Sequence, residues 1–168
     1  MRFENLETYN SPSISFNVKG KWISDHSNDK DALRFENCIA FPGLINSHDH
    51  LDFNLFPQLG NRKYKNYLEW SDNIQRNHKK EIDEILRIPQ LLRIQWGLYK
   101  NLINGVTNVI NHGEKINISN PIIDVFQKCQ SIHSIGLDKF WKWRLNNPLK
   151  IRLPAVIHTG EGIDDETK

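Results

Sequence analysis

Residues 41 to 50 read Phe41-Pro-Gly-Leu-Ile-Asn-Ser-His-Asp-His50, and the reading of this stretch decides the fold. Pro42-Gly43 stops any strand that precedes it, and residues 44–49 then read as a new strand with His48 and His50 at its end. Side chains two apart on a strand share a face, so His48 and His50 point together while Asp49 faces away. Two imidazoles placed that way can converge on one ion. Zinc binds histidine nitrogen at about 2.0–2.1 Å, and catalytic sites combine three protein ligands with one open position, so a third ligand is needed. An HxH pair in a loop also occurs with no metal role, and spacing by itself leaves both readings open.

Upstream of this strand, Ile14, Phe16 and Val18 alternate with polar residues, which predicts a strand over residues 13–18. Lys19-Gly20 reads as a turn and Trp22-Ile23 as the start of a partner strand. Polar turn material follows over residues 24–31, and strand character returns over residues 32–41. Downstream, residues 64–80 are charged and aromatic with irregular helical spacing. Residues 82–103 repeat Ile, Leu and Trp at three and four residues, the pattern of a long amphipathic helix that Pro89 kinks or restarts. Gly105 ends it, and residues 106–110 form a short buried strand. Beyond that point residues 122–128 read as helix, 131–135 as strand, 138–145 as helix and 153–158 as strand.

This order predicts an α/β chain with a β segment over residues 1–42, then parallel strands joined by crossover helices over residues 43–168. A barrel and a doubly wound sheet fit that pattern equally well. The chain has 22 basic and 20 acidic residues, mixed along its length, so no long-range field favours nucleic acid or an acidic membrane. The first ten residues carry Arg2, Glu4 and Glu7 with no apolar run, and no window approaches a membrane span, which predicts a cytoplasmic protein with no signal peptide. Cys38 and Cys129 form no CxxC pair and read as reduced thiols.

With its Pro-Gly-hydrophobic-hydrophobic-Asn-x-His-x-His pattern, the opening stretch resembles the first barrel strand of the amidohydrolase superfamily. Gly105-Val-Thr-Asn-Val-Ile-Asn-His112 is similar to the second-strand segment of that family, and Pro154-Ala-Val-Ile-His-Thr-Gly-Glu-Gly162 to its fifth. The resemblance implies a small N-terminal β-sandwich segment followed by a TIM-type (β/α) barrel, of which this chain holds the N-terminal part. It makes His158 a third metal ligand beside His48 and His50, and Glu161 the catalytic proton shuttle. It also implies one divalent metal, zinc first with iron or manganese as alternatives, and a metal-activated water attacking a non-peptide carbon–nitrogen bond of a small molecule. The His-x-x-Glu spacing favours the one-metal, deaminase-like branch. From the residues themselves, a histidine ending an apolar strand faces the rim where barrel active sites are built.

His112 and His133 lie in or just after short strands and are assigned to the substrate pocket. His26 and His78 sit in polar surroundings and receive no role. Phe140-Trp-Lys-Trp-Arg144 could stack on bases, but its spacing also suits a short helix covering a core, which is the preferred reading. The family completes its site with a His on the sixth strand and an Asp on the eighth, and neither falls within these residues. A full barrel takes about 250 residues, so the expected fold is a partial one whose unpaired strand edges allow a homo-oligomer. The alternative to an enzyme is a non-catalytic metal-binding or assembly remnant of the same fold.

Overall fold

The computed structural model describes residues 1–20, 22–25, 31–165 and 167. Part of the expected 24–31 turn, including His26, lies outside these residues. They form two compact units, Met1–Gly43 and Leu44–Lys168.

The first unit is a four-stranded sheet built from β1 (Arg2–Thr8), β2 (Ser11–Lys19), β3 (Trp22–Ser24) and β4 (Ala32–Arg34), in the order β3-β2-β1-β4. β2 and β3 make the expected hairpin, with Asn17 opposite Ser24 and Lys19 opposite Trp22. Between them Gly20 takes a φ of +60°, the left-handed conformation that glycine adopts without a Cβ penalty. β1 is an element that the sequence reading left out. Its polar residues hide it because partners, not propensity, hold it: it pairs with β2 on one side and β4 on the other, and Phe3 stacks on Phe16 and Phe35. The expected strand over 32–41 is shorter, ending at Arg34, with one bridge from Glu7 to Ile39.

The second unit begins with β5 (Leu44–Asp49), the strand of the opening stretch, followed by a 3-10 turn at Leu51–Phe53. Three helices follow: α1 (Tyr67–Asn77), α2 (Lys79–Leu86) and α3 (Gln90–Ile103). The long helix expected over 82–103 is therefore two helices. Proline lacks an N–H and forces its predecessor out of helical geometry, so Pro89, with ψ of 135°, stands as the N-cap of a separate α3. β6 (Val106–Asn111) then pairs in parallel with β5, and β7 (Asp124–Phe126) pairs in parallel with β6. The helix expected over 122–128 is thus a strand. Ile123 is buried and Val125 half-buried while Asp124 and Phe126 are exposed, a period of two that the apolar run obscured. β8 (Gln130–Ser134), α4 (Trp141–Leu145) and β9 (Ala155–His158) complete the unit, with β8 and β9 parallel.

The core lies under β5 and β6. Leu51 and Val109 are fully buried, and Ile94, Leu98, Val106 and Ile123 close around them. Gly97 allows this packing: a Cβ there would stand 2.4 Å from the Leu51 carbonyl oxygen, so α3 rests directly on the turn that carries the histidine pair. Among the described residues no helix is long and apolar enough to cross a membrane. Cys38 and Cys129 are both free thiols.

Candidate metal centre

β5 delivers His48 and His50, β6 ends just before His112, and β9 ends at His158. The chain is held there by backbone and amide contacts. The His112 N–H donates to the Asp49 carbonyl at 2.7 Å, tying the ends of β5 and β6 together. The Asp49 carboxylate accepts from Asn46 at 3.0 Å, Asn101 at 2.7 Å and Asn54 at 2.5 Å. A side chain that faces away from the histidine pair therefore anchors the strand to α3 and to the 3-10 turn.

One nitrogen from each of His48, His50, His112 and His158 lies within 4.8 Å of all the others. His112 Nδ1 is 2.8 Å from His48 Nε2, which is 2.8 Å from His158 Nε2, which is 3.1 Å from His50 Nε2. A ring nitrogen has a single in-plane position, holding either a proton or a lone pair. It can point at one neighbour, so the two middle nitrogens of this series cannot satisfy both of theirs by hydrogen bonding. Four lone pairs converging on one cation resolve the conflict. A tetrahedral zinc would separate its nitrogens by about 3.4 Å, as follows from bonds of about 2.0–2.1 Å. Three of the observed separations, 2.8, 2.8 and 3.1 Å, fall below that value, and the others are no greater than 4.8 Å. The four-histidine cluster is thus compatible with a divalent metal.

Charge state and tautomer agree with this. Burial, then the charge of neighbouring imidazoles, pushes the pKa values of His50 and His112 down to about 4, and burial followed by His158 lowers that of His48. These rings are neutral at pH 7 and keep their lone pairs. His158 Nδ1 lies 3.2 Å from Glu161 Oε1, an arrangement that keeps the proton on Nδ1 and turns the lone pair of Nε2 towards the cluster.

Of the residues singled out in the sequence, His48, His50 and His158 come together in the cluster. Glu161 stands against the outer nitrogen of His158. His112, assigned to the substrate pocket, is placed in the cluster itself and is almost fully buried, at 2% exposure. His133 stays outside the four, exposed, with its ring centroid 5.5 Å from that of His158 and its Nδ1 accepting from the Ser134 N–H. His78 stands at the C-cap of α1 and is not one of the four clustered histidines. The core role expected for residues 140–144 is not what α4 shows: it buries none of its residues.

A cavity of about 450 Å³ opens beside the cluster, lined by His48, His158, Glu161 and Tyr67. Tyr67 was not legible as a site residue. The chain brings it there through the start of α1, where its N–H donates to the Glu161 carbonyl and the Ile163 N–H donates to the Lys65 carbonyl. Burial, then the Glu161 charge, raises the Tyr67 pKa, so its hydroxyl remains a donor. No alignable motif pairs residue 67 with residue 161; only the fold does.

What the described residues define is a mixed α/β chain carrying a four-histidine cluster able to hold a divalent ion. No family model, curated protein or solved structure matches the chain.

Proposed function

We propose that this chain is a metal-dependent hydrolase of the amidohydrolase type, acting on non-peptide carbon–nitrogen bonds and built on the N-terminal part of a (β/α) barrel. The observation that carries the reading is the convergence of four histidine nitrogens with Glu161 on the outer nitrogen of His158. A bound ion, zinc first with iron or manganese as alternatives, supplies Lewis-acid activation of water. His48, His50 and His158 would hold it. Glu161 orients His158 through Oε1 and moves protons through Oε2 within the adjoining cavity. Tyr67 offers a hydroxyl donor to a small substrate entering that cavity, and His133, which does not line it but has its ring centroid 6.2 Å from that of Tyr67, would reach only a substrate that extends past Tyr67. Such proton transfer contributes roughly 10²–10⁴-fold to rate.

One feature favours a second reading. His112 supplies a fourth nitrogen, and four protein ligands fill a tetrahedral zinc site, the arrangement of structural rather than catalytic zinc. A non-catalytic metal-binding module would have this property.

Elemental analysis of the purified chain, with an ammonia-release assay on a panel of aminated heterocycles, separates the two. The expected result is near-stoichiometric metal that is lost in a His48→Ala/His50→Ala variant, together with ammonia release. Glu161→Gln should keep the metal and slow turnover by roughly 10²–10⁴-fold. Metal without ammonia release from any heterocycle selects the non-catalytic module, and a folded, metal-free protein sinks both readings.

A further inference from the structure

A second cavity, of about 480 Å³, opens between the loop after β6, the start of β8 and α4 with the segment that follows it. Its lining contains no carboxylate but three cations, Lys115, Arg144 and Lys150. Arg144 pairs with Asp138 at 3.2 Å, whereas Lys115 and Lys150 form no ion pair among the described residues. Trp143 also lines the cavity and is 69% exposed. From the aromatic-basic run at residues 140–144, Trp143 and Arg144 thus stand at the cavity, beside the two cations Lys115 and Lys150 from other segments.

The walls are tied to one another. Gln127 clamps the far loop with both ends of its amide: the Ile116 N–H donates to its Oε1 at 2.7 Å, and its Nε2 donates to the Ile116 carbonyl at 3.0 Å. The Gly113 N–H donates to Ser131 Oγ at 3.0 Å, and Gln130 Nε2 donates to the Lys150 carbonyl at 2.9 Å. Three separate chain segments are thereby held in register around the opening, so a ligand would meet a preformed surface.

We propose that this cavity binds a nucleoside monophosphate, its planar base stacked on Trp143 and its phosphate held by Lys115, Lys150 and Arg144. The cations suit a phosphate, the exposed ring suits any heteroaromatic base, and the volume falls in the usual range for small-molecule sites. A nucleic-acid strand fits less well, because the cations gather in one concavity and the chain as a whole carries only +2, leaving no extended track for a backbone. None of the four clustered histidines lines this cavity, although Asn111 and Gly113 flank His112, and the proposal does not rest on the activity proposed for the cluster.

Titration calorimetry on the full-length protein tests this, with adenosine monophosphate as probe and with adenosine, inorganic phosphate and oligoadenylate as comparisons. The expected result is saturable one-to-one binding of the monophosphate, with adenosine and phosphate alone each weaker. Trp143→Ala and Lys115→Gln/Lys150→Gln should each weaken binding about tenfold or more, in line with the worth of one base stack or of charged phosphate contacts, while metal content stays unchanged. Absence of saturable monophosphate binding, or affinity untouched by both variants, overturns the proposal. Oligoadenylate affinity that climbs with length and falls steeply with salt overturns it too, and makes the surface a single-strand binder instead.

Discussion

His50 and His112 are held neutral by burial first and then by neighbouring imidazoles, His158 and His48 for His50 and His50 and His158 for His112, with pKa values of about 4. An unfolded histidine titrates near 6.5. Between those values the unfolded chain takes up protons that the folded chain refuses, so folding stability from these two rings is fully present above about 6.5 and is lost as pH falls towards 4. The metal-free protein should therefore melt at progressively lower temperature from pH 7 to pH 4.5. Carboxylates such as Glu4 and Glu69, held below their ordinary range by arginine and backbone partners, lose their share at lower pH still. A His50→Gln/His112→Asn variant isolates the imidazole part: its melting temperature should fall less steeply over the same interval. Equal slopes in the two proteins would mean that the cluster does not carry this penalty. The convergence of His48 and His50 was legible from their i, i+2 spacing. The part played by His112 was not, because nothing in sequence says that the ends of β5 and β6 meet through the Asp49 carbonyl.

At the scale of elements, α3 is what positions the histidine pair, and it does so by a contact with no side chain on its own side. Adding a methyl group at Gly97 would push on the Leu51 carbonyl, which belongs to the turn immediately after His50. Gly97→Ala should cost about 1–3 kcal/mol, as overpacking does, and should lower metal affinity as well as melting temperature. The same helix carries a change expected to help. Arg93 is buried, and its Nε and Nη1 have no hydrogen-bond partner among the described residues. A buried donor left unpaired costs about 1–3 kcal/mol, so Arg93→Met, which keeps the length and removes the polar atoms, should raise the melting temperature. A drop would show that the guanidinium is paired in solution. Amphipathic spacing identified α3 and the Pro89 break, but the reading of β7 failed because Ile122, Ile123, Val125 and Phe126 are too few to separate a period of two from one of 3.6. β1 failed for the opposite reason, being a polar strand held by two neighbours.

The second unit as a whole leaves much apolar surface open. Leu92, Trp96, Tyr99 and Ile103, spaced four, three and four apart, form an exposed stripe along α3, and Leu44 and Ile45 of β5 are also exposed. Contiguous apolar surface and open strand edges both favour association between chains. Sedimentation velocity across a concentration series should show reversible self-association, and Trp96→Glu/Ile103→Glu should shift the protein towards monomer. A wild-type chain that stays monomeric up to its solubility limit would remove the homo-oligomer from consideration.

Local patterning determined the strand at residues 44–49, the helical stretch broken at Pro89, the strand that ends at His158, and the pairing of His48 with His50, since periodicity and turn chemistry act over a few residues and can be read from them directly; His158 entered as a candidate ligand through the resemblance of its segment to a family motif. Tertiary structure alone decided the rest. Whether residues 124–126 pair with β6, whether His112 joins the cluster or lines a pocket, and whether Tyr67 stands beside Glu161 all depend on which segments meet across 16 to 110 residues of chain. Such meetings are settled by burial and by the pairing of backbone groups over the whole unit, and no stretch of sequence carries that information by itself.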